Sequence, residues 1–238
     1  MERKCLLRQN MPLKTDTFSC LIFLLFADED SCEDPFNAYK TAKTTITCEY
    51  PDKYRSNVKF FCKDSGFICE DILSTESPLR SNGMFSLNKT RRGFNVSISN
   101  VSTQHLGDYW CGLKSEDGIS RAGLKQIHLN VEDIPTSELS LAVGQTFTFR
   151  CDYPESSSIF GFFCKGEDPS SCQTLISNQR SRRSTGRFSL KEDLLKTQII
   201  ITVTGVTAED AGTYWCGTHF FGSAFNKFYH RFLVTVGE

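Results

Sequence analysis

The chain has 238 residues, room for one or two domains of ordinary size. Lys and Arg total 27 against 28 Asp and Glu, a near-neutral balance that excludes the overall basic footprint of a nucleic-acid or anionic-membrane binder. A hydrophobic fraction of 39%, with 20 Phe, excludes a disordered or fibrous chain.

Residues 18–27, Phe-Ser-Cys-Leu-Ile-Phe-Leu-Leu-Phe-Ala, form a short apolar run behind Arg3, Lys4, Arg8 and Lys14, with Asp28-Glu29-Asp30 after it. As a helix the run would rise only about 15 Å, half a hydrocarbon core. It suits the hydrophobic segment of a secretory signal peptide over 1–27, cleaved after Ala27, with Met11 as an optional second start. A buried N-terminal helix or strand is the alternative. No later segment reaches the ~20 apolar residues of a membrane-spanning helix.

The 11 Cys are too many and too regular for an ordinary cytosolic protein. Cys48, Cys62, Cys69 and Cys111 recur as Cys151, Cys164, Cys172 and Cys216, with gaps of 14, 7 and 42 against 13, 8 and 44. Neighbouring words recur with them. Phe60-Phe61-Cys62-Lys63 matches Phe162-Phe163-Cys164-Lys165, Phe85-Ser86-Leu87 matches Phe188-Ser189-Leu190, and Tyr109-Trp110-Cys111-Gly112 matches Tyr214-Trp215-Cys216-Gly217. Two similar domains follow, over 28–133 and 134–238, joined at Glu132-Asp133-Ile134-Pro135, where the proline removes a strand donor. Within each copy apolar residues alternate: Phe94, Val96 and Ile98; Ile127, Leu129 and Val131; Phe147, Phe149 and Cys151; Ile199, Ile201 and Val203. A period of two between Gly, Ser, Asn and Pro clusters predicts an all-β antiparallel sandwich in each copy.

Gly107-x-Tyr109-x-Cys111 and Asp210-x-Gly212-x-Tyr214-x-Cys216, each closing a long Cys-to-Cys span, resemble the immunoglobulin variable-type domain. The aromatic-Cys-Lys words, the further Cys a few residues on and Tyr-Trp-Cys-Gly are narrower. They resemble the polymeric immunoglobulin receptor and its leukocyte relatives, the mono-immunoglobulin-like activating and inhibitory receptors. The resemblance covers nearly everything after residue 36. It implies B–F disulfides Cys48–Cys111 and Cys151–Cys216, and extra C–C′ disulfides Cys62–Cys69 and Cys164–Cys172. Phe61 and Phe163 take the place of the strand-C Trp, and Tyr109 and Tyr214 become corner tyrosines. On the loop-entropy model the long loops contribute about 4 kcal/mol each and the short ones about 2.5. Cys32 keeps no assigned partner after signal cleavage, which allows a disulfide-linked dimer or an error in the gene model near the signal.

The same template pairs Arg187 with Asp210 in a salt bridge at the bottom of the second domain. Met84 and His105 stand there in the first, so both charges are lost together and an apolar or hydrogen-bonded contact is expected. Strand parity turns Trp110 and Trp215 outward on the GFCC′ sheet, either as interface residues or as shields over the C–C′ disulfides. The sequons Asn88-Lys-Thr, Asn95-Val-Ser and Asn100-Val-Ser fall on or near strands D and E of the opposite sheet, so glycans there would leave GFCC′ bare. The F–G loop of domain two carries Phe220, Phe221 and Phe225, a contact site for a partner or lipid, or a loop folded back on its own sheet. Gln179–Arg187 is a basic cluster: a solvated loop, an anionic glycan or lipid-headgroup patch, or a processing site.

No nucleophile elbow, HExxH or phosphate-cradling loop appears, and His105, His128, His219 and His230 are scattered. The expectation is a non-enzymatic protein with no metal, no cofactor and no nucleic-acid partner. It is read as the ectodomain of an immune cell-surface receptor recognising a phospholipid headgroup, polymeric immunoglobulin or another cell-surface protein. The alternatives are a secreted polymeric-immunoglobulin carrier or soluble decoy, and an adhesion spacer. Signalling relatives carry a transmembrane helix after the domain, whereas this chain stops at Val234-Thr-Val-Gly-Glu238. Its expected place is therefore the outer face of the plasma membrane if such a helix follows, and otherwise the secreted fluid.

Overall fold

The computed structural model describes residues 35–115, 120–153, 160–178, 184–193, 195–219 and 226–237. The first copy contributes β1 (Phe36–Tyr39), β2 (Thr44–Glu49), β3 (Lys59–Asp64), β4 (Cys69–Ser74), β5 (Ser81–Asn82), β6 (Phe85–Lys89), β7 (Gly93–Ile98), β8 (Gly107–Lys114) and β9 (Arg121–Glu132). They form two sheets in the orders β1-β9-β8-β3-β4 and β2-β7-β6-β5. The second copy supplies β10 (Thr136–Ala142), β11 (Phe147–Asp152), β12 (Phe160–Lys165), β13 (Gln173–Ser177), β14 (Ser184–Thr185), β15 (Phe188–Asp193), β16 (Gln198–Val203), β17 (Gly212–His219) and β18 (Asn226–Gly237). Its sheets run β10-β18-β17-β12-β13 and β11-β16-β15-β14, the same order. Both copies have the all-β variable-type immunoglobulin fold. Strands C, C′, F and G are β3, β4, β8 and β9, then β12, β13, β17 and β18. Among the described residues the helical turns are short 3-10 segments, and no helix is long and apolar enough to cross a membrane.

Two compact units result, one built on Ile46–Ser97 and Gln104–Asn130, the other on Val131–Glu238 together with Asn37–Thr45 and Ile98–Thr103. Alternation sets each core. Phe94, Val96 and Ile98 of β7 are buried between half-buried neighbours, and Ile199, Ile201 and Val203 of β16 repeat the pattern. Cys48–Cys111 and Cys151–Cys216 tie sheet to sheet across sequence separations of 63 and 65 residues. Cys62–Cys69 and Cys164–Cys172 staple the β3–β4 and β12–β13 hairpins.

Beside each inter-sheet disulfide an aromatic pair fills the space of the usual tryptophan. Phe61 stacks on Tyr109 at 5.2 Å between ring centroids, and Phe163 on Tyr214 at 5.3 Å. The two tyrosines close the corners: Tyr109 donates its hydroxyl to the His105 carbonyl and Tyr214 to that of Asp210, both at 2.7 Å. Burial pushes both phenols up to about 12, so they stay protonated donors.

The bottoms of the copies differ. Nη1 and Nη2 of Arg187 donate to the two Asp210 carboxylate oxygens at 2.8 Å each, and the Thr207 amide adds a third bond to Asp210 Oδ2. In the first copy the His105 ring meets Phe85 edge-on at 5.4 Å, and Met84 is exposed.

The Arg187 hydrogen bond, with help from Thr207, holds the Asp210 carboxyl below the usual carboxylate range. Stability from this pair is therefore present above the ordinary carboxylate pKa and is lost as pH falls through the lowered one. Asp210→Asn is expected to destabilise the second sandwich by about 1–3 kcal/mol near neutrality. The gap from wild type should narrow only below about pH 4. Urea unfolding of the full chain with hydrogen exchange read in β17 checks both; a gap constant down to pH 2 contradicts the assignment.

Candidate functional site

In the first unit, Phe61 lies opposite Cys111 and Cys62 opposite Trp110 in the β3–β8 register. Since Phe61 and Cys111 point into the core, Trp110 leaves the outer face of the sheet beside the hairpin staple. It is half-buried, and its Nε1 donates to Asp64 Oδ2 at 3.3 Å. Next to it Asp71 on β4 pairs with Arg121 of β9 and lies 3.5 Å from Lys114 Nζ. The Arg121 guanidinium covers the Phe60 ring at 4.1 Å from its centroid, a cation–π contact that leaves Phe60 fully buried. Asp108 and His128 meet at 2.8 Å on the same two strands, β8 and β9. At the β3–β4 turn Phe67 and Ile68 are 83% and 59% exposed. A half-buried indole, charges held in place by one another and apolar side chains at a stapled tip make the kind of mixed surface proteins recognise.

The second unit treats the same face differently. Trp215 leaves β17 on the outer side, yet it is fully buried. The second unit includes Asn37–Thr45, and Tyr39 from this segment lies 5.8 Å from the Trp215 ring and 5.5 Å from Phe228. The Tyr39 hydroxyl accepts from the Phe228 amide at 3.0 Å. The Arg231 guanidinium covers Trp215 at 5.2 Å and donates to Thr41 Oγ1 at 2.8 Å, while Trp215 Nε1 donates to the Gly166 carbonyl. Burial pushes the Arg231 pKa down from its ordinary value. Of the two roles open to Trp215, an exposed interface residue does not agree with its burial: Tyr39, Ala42, Phe162, Cys164 and Phe228 make a second small core around it, with Cys172 of the hairpin staple packed against that core.

Asn88 and Asn100 are exposed; Asn95 is half-buried, with its side-chain oxygen enclosed and without a partner. Phe220, Phe221 and Phe225, the expected signal peptide with its cleavage site, Cys32 and Arg180 to Arg183 lie outside the described residues. Among the described residues no three His, Cys, Asp or Glu side chains are placed to hold a metal ion. The sequence reading missed the Asp71 ion pairs and Tyr39. The only signal for the former was opposite charge on strands of one sheet, and for the latter none was local.

Residues 134–236 match the family model of the immunoglobulin V-set domain. The polymeric immunoglobulin receptor of Mus musculus is 27% identical over 186 residues, covering 72% of this chain and 23% of that protein. Natural cytotoxicity triggering receptor 2 of Homo sapiens is 33% identical over 82 residues, 33% of this chain and 30% of its own. The solved structure of the NK cell receptor Nkp44, titled a triggering partner in natural cytotoxicity, covers 43% of this chain and 98% of that one, at 29% identity and a TM-score of 0.38. The chain spans only about a quarter of the length of the mouse receptor it matches.

The two tryptophans should separate in a stability experiment. Trp215→Ala is expected to cost about 3–5 kcal/mol through its cavity, and Trp110→Ala, half-buried, less than about 2. Chemical unfolding of the disulfide-intact chain measures both; equal losses would contradict the difference in burial.

Proposed function

We propose that this chain, which carries variable-type immunoglobulin domains and has a V-set domain at 134–236, is the ligand-binding ectodomain of an immune-type cell-surface receptor. Its partner is a protein, met by the outer β9-β8-β3-β4 face of the first unit. One contrast carries this reading: Trp110 stands on an accessible face, whereas the equivalent Trp215 is sealed by Tyr39 and its neighbours. The relatives named above are receptors, which supports receptor-type binding without naming this chain's ligand. Four disulfides suit the oxidising route to the cell surface. Asn88 on β6 and Asn95 on β7 belong to the opposite sheet, so glycans on these strands leave the Trp110 face free.

A second reading, a secreted carrier or decoy for polymeric immunoglobulin, is favoured by a likeness to the polymeric immunoglobulin receptor that covers 72% of the chain and so extends beyond one copy. A phospholipid-sensing role would depend on Phe220, Phe221 and Phe225, and a disulfide-linked dimer on Cys32.

The test is binding of the multimerised ectodomain to leukocytes and target cells, to polymeric immunoglobulin and to phosphatidylserine liposomes. Protease-sensitive cell binding, weakened about tenfold or more by Trp110→Ala or Arg121→Asp, is the expected result. Binding to polymeric immunoglobulin alone would move the protein to the carrier reading. Liposome binding that both variants retain would overturn the proposed face.

A further inference from the structure

An open cavity of about 450 Å³ lies in the first unit, away from the Trp110 face. Its walls come from the β2–β3 connection, the residues after β4 and the β6–β7 turn. Five cations line it, Arg55, Lys59, Lys89, Arg91 and Arg92, against two carboxylates, Asp52 and Glu76. Neither carboxylate is used to neutralise them: among the described residues none of the five cations has an ion-pair partner.

Lys59 is the unusual member. It is only 8% exposed, and its ammonium donates to the carbonyls of Tyr54, Arg55 and Asn57 at 3.0, 3.1 and 3.0 Å. Those bonds satisfy its three protons and fix the connecting loop, but carbonyls do not cancel its charge. Burial and the charge of Lys89 both lower its pKa, so the cations of this cavity already repel one another. A built cavity in which five cations outnumber two carboxylates keeps a positive field that an anionic ligand would relieve.

The rest of the wall narrows the class. Ser56, Asn57, Thr75 and Thr90 bring hydroxyl and amide groups. None of the exposed large apolar side chains lines the cavity, so it has no anchor for a bilayer. Its one ring, Tyr50, is buried and bonded through its hydroxyl to the Gly112 carbonyl, leaving no platform for a nucleobase. The volume is that of a small-molecule pocket. We propose that this cavity binds an acidic saccharide, its sulfates or carboxylates among Arg55, Lys89, Arg91 and Arg92 and its hydroxyls against Ser56, Asn57, Thr75 and Thr90. The proposal is independent of the protein partner argued above.

The test uses the full secreted chain carrying Asn88→Gln, because the Asn88-Lys89-Thr90 sequon shares the turn and a glycan of its own could enter the cavity. Probes are a heparin-derived hexasaccharide, its desulfated and carboxyl-reduced form, sialyllactose, a poly-glutamate peptide and phosphatidylserine vesicles. The hexasaccharide or sialyllactose is expected to bind, more weakly as salt rises, and to lose about tenfold or more in affinity in Arg91→Ser/Arg92→Ser. Which sugar binds identifies the source of the acid. The triple variant Arg180→Ser/Arg182→Ser/Arg183→Ser should bind as the parent does. Failure of both acidic sugars to bind overturns the proposal. So does loss of binding in the triple variant alone, or equal binding of the desulfated sugar, the peptide or the vesicles. Retained binding in a folded Arg91→Ser/Arg92→Ser variant overturns it as well.

Discussion

The register of β3 against β8 governs this structure. Phe61 faces Cys111 across the strands, and the ring of Phe61 stacks on Tyr109 beside the Cys48–Cys111 bridge. A slip of β3 by one residue would turn Phe61 out to water and bring Cys62 into the core. With the bridge and the stacked pair in place, Cys62 and Trp110 must leave the opposite side, where Cys62 reaches Cys69 and the hairpin is stapled. The glycine after Cys111 belongs to the same constraint. The register shifts between Cys111 and Gly112, and a Cβ at Gly112 would come within 2.2 Å of the Phe60 ring. Gly217 stands in the same relation to Phe162, at 2.4 Å. The repeated word Tyr-Trp-Cys-Gly is therefore one packing device: corner donor, outer aromatic, sheet-to-sheet bond and a place for a ring.

On this common frame the copies diverge where a charge must be settled. The second holds Arg187 and Asp210 in a two-pronged pair; the first closes with His105 against Phe85 and holds neither charge. At the other end, Tyr50 of the first copy donates its hydroxyl to the Gly112 carbonyl, whereas the buried hydroxyl of Tyr153 has no hydrogen-bond partner among the described residues. Lys59 of the first copy is replaced by Gly161, where a Cβ would strike Ile199 at 2.3 Å. Among the described residues, a buried ammonium holding three loop carbonyls, and the cationic cavity built on it, are therefore found in the first copy.

Much of the frame was legible because it rests on local, periodic signals. Alternation marked β7 and β16, the recurring gaps marked eight cysteines that the resemblance then paired, and the corner tyrosines sat in recognisable words. The pairing of Arg187 with Asp210 came from the resemblance, which assigns those positions to each other. What lies above a residue was not legible. Parity states which way a side chain leaves a strand, and that was right for both tryptophans. The cover over Trp215 comes from Tyr39, whose hydroxyl meets the amide of Phe228 189 positions away, and no pattern near either residue announces the other. The cationic cavity was hidden for a similar reason. Arg55, Lys59 and Lys89 stand apart, and only Arg91-Arg92 are adjacent, so no run of charge marks the cavity, while the visible basic cluster is Gln179–Arg187.

The two tryptophans meet one physical problem in two ways. An outward indole beside a disulfide is a large apolar surface that water disfavours, and either a partner or the chain's own residues can cover it. In the second unit the chain does so. Tyr39, Phe162 and Phe228 pack on Trp215, and Arg231 lies across it, held by Thr41. In the first unit the cover is partial. Arg121 shields Phe60, Asp71 holds Arg121, and Trp110 is left half-buried with its one donor turned to Asp64. Since the cover there is made of charged side chains already held by one another, a partner could desolvate Trp110 without first breaking apart a packed apolar cluster. It would also meet a fixed pattern of charge against which to select its own. The same approach to Trp215 would require displacing Tyr39 and the Arg231–Thr41 bond. The energetic asymmetry between a finished core and an unfinished one supports the proposal that the first face is the one a partner meets.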